Sequence, residues 1–143
     1  MFFEMASITE LDLSSFDTSS AENMANMIAC NPNLVTLNVD GFDTTHVWNM
    51  EKLFAGDISL KILDLSSFDT SNVKYMNNMF DGDISLEEID FSNADFSNVL
   101  NSTDMFKDVP ATVTIYVKDM AARDWIITNG GNSNLTVDNV LIK

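Results

Sequence analysis

Asp17, Asp43, Asp69 and Asp95 recur at intervals of 26 residues. A column of carboxylates can do two kinds of chemistry. It can ligate a divalent cation, or a pair with divergent proton affinities can run acid–base hydrolysis. Calcium needs many oxygens from one loop, and neither the EF-hand pattern nor the glycine-rich calcium nonapeptide occurs. A repeated ladder also lacks a unique pocket that would set one carboxyl apart from its neighbours. The remaining role is structural, with each Asp accepting backbone N–H groups as a helix cap or turn ligand. That role must offset a like-charge repulsion of about 0.8 kcal/mol per neighbour at roughly 5 Å in water.

The other reactive side chains offer less. His46 is the only histidine and has no Ser or Cys partner that would make a triad or metal site with it. Cys30 is the only cysteine and falls where Gly56 and Gly82 stand in later repeats, so it reads as a small residue in a tight turn. The methionines Met24, Met27, Met50, Met76, Met79 and Met105 keep a helical spacing and read as core. No catalytic residue, metal or cofactor is expected. The candidate binding residues are Glu10, Asp12, Asp40, Asp64, Glu88 and Asp90, read as outward positions of strands. Together they would make one sheet face acidic, either as a solvated surface or as a partner-binding one.

These residues are positioned by a repeat. Leu11-Asp12-Leu13-Ser14-Ser15-Phe16-Asp17-Thr18-Ser19 recurs unchanged at 63–71, with related copies beginning at Leu37 and Ile89. The second half repeats as well, through Met24, Met50 and Met76 and then Ile28, Phe54, Phe80 and Phe106. Leu63 and Leu65 alternate with Asp64 and Ser66, the period of a half-buried strand. Val73, Met76, Met79 and Phe80 sit at i, i+3, i+6 and i+7, which predicts about two turns of helix capped by Asp69, Thr70 or Ser71. Gly82-Asp83 then supplies a turn.

One such unit cannot bury its apolar side alone, but stacked units can. The predicted fold is therefore α/β: a leucine-rich-repeat-like solenoid of short parallel strands and short helices. The usual ladder asparagine is missing from the strand pattern. Phe16, Phe42 and Phe68 stand there instead and predict a buried aromatic spine. In the fourth copy Ala94 replaces the spine residue, and Phe96 is placed to refill the space. The repeat region is assigned to 1–108, with starts near 11, 37, 63 and 89 and a partial repeat over 1–10. Residues 109–143 are assigned to a C-terminal β-α-β cap of the same domain. Its strands are expected over Thr112–Lys118 and Leu135–Ile142, with a helix capped by Asp119 between them.

Composition limits the partners. Of 143 residues, 45% are hydrophobic and 20% charged, enough apolar content for a core. Seven Lys+Arg against 22 Asp+Glu give a net charge of −15. That charge repels nucleic acid and anionic lipid. No stretch is long and apolar enough for membrane insertion, and the N-terminus lacks the features of a signal peptide. Met1-Phe2 lies one period before Met27-Ile28, so the chain begins inside a repeat. It reads as a C-terminal piece of a longer repeat protein, with an uncapped N-terminal edge open to self-association.

The unit L-D-L-S-S-F-D-T-S-N-V-x-x-M-x-x-M-F closely resembles the BspA-like leucine-rich-repeat family, also found as repeats in mycoplasma-type surface lipoproteins. Residues 63–86 match best, and the likeness extends over roughly 1–108. The tail from Thr114-Ile115-Tyr116-Val117-Lys118 is similar to a segment that often follows such repeats. The resemblance implies a cell-surface or secreted location and a non-enzymatic adhesion role toward a host or neighbouring-cell protein or glycan. A structural spacer that projects another domain is the alternative, and a carboxylate-based hydrolase a weaker one.

Overall fold

Each repeat places a short β-branched or leucine-rich segment in the same register, and these segments pair in parallel. The computed structural model describes residues 1–143. Its strands are β1 (Glu10–Asp12), β2 (Thr36–Asn38), β3 (Ile62–Asp64), β4 (Glu88–Phe91), β5 (Thr114–Val117) and β6 (Val140–Ile142). β1 pairs with β2, and β3 through β6 form a second ladder in chain order. Glu10 lies opposite Thr36, Ile62 opposite Glu88, and Glu88 opposite Thr114, so the 26-residue step is the register itself. The alternation reads out as expected: Leu63 and Ile89 are fully buried while Ile62 and Asp64 face out. The architecture is a parallel β-solenoid.

The helices expected in each repeat are absent, and the only helix is α1 (Met120–Asn129) in the C-terminal cap. Residues 73–80 instead form tight turns whose backbone bonds run to the next coil. The N–H groups of Met76, Asn78 and Phe80 donate to the carbonyls of Asn101, Thr103 and Met105, each at 2.9 Å. The coil before repeats this with Met50, Lys52 and Phe54 donating to Tyr75, Asn77 and Met79. Between these rungs the chain turns sharply, with Lys52 and Asn78 at φ +52° and +55°. A left-handed residue at that point ends any α-helix. The i, i+3, i+6, i+7 pattern still points Met76, Met79 and Phe80 inward, because three-residue turns return side chains to one side much as a helix does. Of 74 backbone–backbone hydrogen bonds, 59 lie outside the helix and the named strands, and they comprise turns within each coil as well as bonds from coil to coil.

The core is one cluster running the length of the solenoid. Phe42 and Phe68 stack at 6.2 Å and are buried, but Phe16 is 48% exposed, contrary to the expected spine. Its coil is the first, and the ring that packs against it is Phe2, edge-on. The longer aromatic column is Phe54, Phe80 and Phe106, stacked at 5.7 and 5.1 Å. In the fourth coil Phe96 is buried as expected, edge-on to Phe91 and stacked on Trp125 of α1. The cap has the predicted β-α-β order, with shorter strands than the sequence suggested. The Asp119 carboxylate accepts the Ala122 N–H and starts α1, and Gly130 ends it.

Candidate functional site

The acidic sheet face is less uniform than its sequence suggests. Glu10, Asp12 and Asp64 are exposed on the outer surface, and Glu88 is half-buried there. Asp40 is not a strand residue: it follows β2 in a turn, where its N–H donates to Asn38 Oδ1 at 3.0 Å. The residue in register with Asp12 and Asp64 is Asn38, which is uncharged. Asp90 is only 6% exposed and is paired with the Lys143 ammonium, which also sits 5.2 Å above the Tyr116 ring. Burial pushes the Asp90 carboxyl up, but bonds from Lys143 and Ser92 outweigh it and hold it below the usual range. Asp90 is therefore a neutralised structural residue and not part of a free acidic surface.

Asp12, Asp64 and Asp90 share a local task. Each Oδ1 accepts the N–H two residues on, from Ser14, Ser66 and Ser92. These bonds end the strand and fix each carboxylate. The middle of the face is apolar. Val35 and Ile62 are 49% and 58% exposed, and Lys61 is tied to Glu87 at 2.8 Å. β2 and β3 are not hydrogen-bonded to each other. A cavity of about 370 Å³ opens there, lined by Val35, Thr36, Leu37, Lys61, Ile62 and Asp64.

The Asp17, Asp43, Asp69 and Asp95 column serves turns. Each Oδ1 accepts the N–H two residues on, at 2.8 to 3.0 Å. Hydrogen bonds from Ser19, Thr45 and Ser97 hold Asp17, Asp43 and Asp95 below the usual carboxylate range. Beside them runs a threonine ladder. Thr70 Oγ1 donates to the Asp95 carbonyl at 2.6 Å and accepts the Asp95 N–H at 2.7 Å, and Thr18 bonds Asp43 in the same way. No three His, Cys, Asp or Glu side chains converge to hold a metal ion.

A family model described as "Mycoplasma protein of unknown function, DUF285" matches residues 1–119. The chain belongs to this family. No curated protein and no solved structure matches it. The match runs through all the repeat strands to β5 and stops just before α1.

This DUF285 chain carries a second ladder that its sequence pattern does not announce. Asn31, Asp57 and Asp83 lie 26 apart, and all three are completely buried. Asn31 Oδ1 accepts the Met5 N–H, Asp57 Oδ1 accepts the Asn31 N–H, and Asp83 Oδ1 accepts the Asp57 N–H, at 2.9, 2.7 and 2.8 Å. Asn31 Nδ2 donates to the carbonyls of Phe2 and Ile28. Oδ2 of Asp57 and of Asp83 has no partner. Burial drives both carboxyls up, Asp57 to about 7 and Asp83 well above the usual range with the Asp57 charge adding to it. At the same position one coil earlier, Asn31 carries an amide Nδ2 that does find acceptors, where Asp57 and Asp83 have an unpartnered Oδ2. The signal was present in the 26-residue register of Asn31 with the two Gly-Asp pairs, which read as turns alone.

The remaining candidates of this DUF285 chain stay apart. His46 is exposed and its Nδ1 lies 3.2 Å from Thr45 Oγ1. Cys30 has φ +63°, matching Gly56 and Gly82 at +80° and +82°, and fills their turn position. Burial, then the negative charges of Asp57, Glu4 and Asp83, raise its thiol, the opposite of an activated nucleophile. No helix is long and apolar enough to cross a membrane.

Proposed function

We propose that this chain is a non-enzymatic binding and adhesion module of a bacterial surface protein, of the BspA-like leucine-rich-repeat type. Its partner is a host or neighbouring-cell surface molecule engaged by the outer sheet face. The observation that carries this reading is the centre of that face. Exposed Val35 and Ile62 border a cavity at the unpaired β2–β3 junction, and Glu10, Asp12 and Asp64 flank it. An apolar centre with charged margins is the anatomy of a protein interface. The margins favour a partner patch that is apolar with a basic rim. A protein ligand therefore fits this face better than a glycan.

The experiment is a binding panel of immobilised extracellular-matrix proteins and sialylated glycans, read by interferometry. Association with a protein surface is expected, weakening with salt because exposed charges are screened within about 8 to 10 Å. Ile62→Asp should cost about ten-fold in affinity, and Asp64→Lys should slow association. Absence of binding throughout the panel, or binding indifferent to salt and to both substitutions, would favour a spacer that only projects another domain.

A further inference from the structure

The β2–β3 junction is open along the sheet and closed on the far side of the coil. At the β1–β2 junction the Thr36 N–H donates to the Thr9 carbonyl and the Leu13 N–H to the Asn38 carbonyl. At β3–β4 the Glu88 N–H donates to Lys61 and the Leu65 N–H to Asp90 in the same way. The equivalent bonds at β2–β3, from Ile62 to the Val35 carbonyl and from Val39 to the Asp64 carbonyl, are not made. No ladder bond joins the two strands between them. The threonine ladder loosens at the same place. Thr18 and Thr70 each bond both the N–H and the carbonyl of the Asp one coil on, whereas Thr44 bonds only the Asp69 carbonyl. Phe42 and Phe68 stack at 6.2 Å on the open side, against 5.7 Å for Phe54 and Phe80 across the same junction on the far side. There the N–H groups of Met50, Lys52, Phe54 and Gly56 keep their bonds to Tyr75, Asn77, Met79 and Asp81. The two coils thus enclose a wedge, hinged on the far side, whose mouth is the cavity of about 370 Å³.

The wedge leaves backbone donors and acceptors facing each other across two strand edges. Val39 is only 2% exposed, so an unpaired N–H there is costly. The backbone of a further strand is the group that satisfies both edges at once. The outer edges of β1 and β6 are also unpaired, but each offers one side only.

We propose, resting on the binding role given to this face above, that the wedge receives an extended peptide segment of the partner protein, which pairs through its backbone with β2 and β3 together. Successive side chains of such a strand point to opposite faces of the sheet. Those pointing in join Leu37 and Leu63 at the core and must be apolar. Those pointing out meet the exposed Asp64, with Lys61 already tied to Glu87, and are best basic. A strand between β2 and β3 needs about 9.6 Å, twice the usual spacing. The two strands lie closer than that, so entry widens the wedge about its bonded side.

The probe is the acetylated heptapeptide Thr112–Lys118 of this chain, which ends in a lysine. Within β5 and its flank, Val113, Ile115 and Val117 are already fully buried in this same sheet. Amide exchange is measured by NMR on the 15N-labelled full chain, free and with the peptide. In the free protein the Ile62 and Val39 amides should exchange at least about ten-fold faster than those of Leu65 and Glu88. The peptide should slow both by about ten-fold or more. A peptide N-methylated at Thr114 and Tyr116 keeps every side chain and loses two backbone donors, and should bind about ten-fold more weakly. Four outcomes overturn the proposal: Ile62 and Val39 protected from the start, no binding, equal binding by the N-methylated or the Lys118→Glu peptide, or protection at Glu10 or Ile142 in place of Ile62 and Val39. A matrix protein that binds wild type and not Ile62→Asp, yet leaves exchange at Val39 and Ile62 unchanged, would overturn strand entry while the binding face stands.

Discussion

Replacing Asp57 by Asn should stabilise the protein at pH 8 and do little at pH 4. Asp57 is completely buried, with Oδ2 unpartnered, and its carboxyl titrates near 7 against a usual value of 3.8. At 1.36 kcal/mol per pH unit, that difference corresponds to about 4 kcal/mol. The folded-state value is raised, so the stabilising contribution is complete below about pH 4 and is lost as pH rises through 7. Asp83, raised in the same direction, steepens the decline. Asp12, Asp17, Asp43, Asp90 and Asp95 are lowered and act the other way, removing stability only as pH falls below about 4. Wild-type stability should therefore peak near pH 4 to 5. An amide at position 57 carries no proton cost and can donate as Asn31 does. Asp57→Asn should gain about 2 to 4 kcal/mol at pH 8, and the gain should vanish near pH 4. Urea unfolding followed by tryptophan fluorescence at both pH values measures this. A wild-type midpoint that rises from pH 5 to pH 8, or an Asn variant with an unchanged pH slope, would mean that Asp57 does not carry the pH dependence.

Other substitutions probe the packing. Phe68→Ala should cost about 3 to 5 kcal/mol in denaturant unfolding, because Phe68 is fully buried and stacked on Phe42. Phe16→Ala should cost at most about 1 kcal/mol, since half of that side chain is already in water. Thr70→Val keeps the shape but orphans the Asp95 N–H and carbonyl, and should cost about 2 kcal/mol by the same assay.

The repeat, its register and the strand positions are legible in the sequence because each copy alternates inward and outward residues and places the same inward residue every 26 positions, at Leu11, Leu37, Leu63 and Ile89. The cap is legible too, from the alternation in Thr114–Val117 and from Asp119 before an apolar helix. Residues 73–80 misled because apolar spacing records which side chains face inward and not where the backbone bonds go. Those bonds run to a neighbouring coil 25 residues on, which no local pattern reports. The Asp57–Asp83 ladder was hidden for a related reason. Gly-Asp is ordinary turn chemistry, and only the stacking of coils removes the carboxylates from water. In the candidate face, Asp40 was placed two residues out of register, and the Lys143 that neutralises Asp90 lies 53 residues away.

If the outer sheet face attaches to another surface, as proposed, it should hold a particle to cells. Beads coated with the protein, washed in flow over cultured host cells, test it most directly. Wild-type beads should be retained well above albumin-coated beads, salt should reduce retention, and Ile62→Asp beads should be lost while circular dichroism shows an unchanged fold. Wild-type beads retained no better than albumin, or Ile62→Asp beads retained as well as wild type, would contradict it.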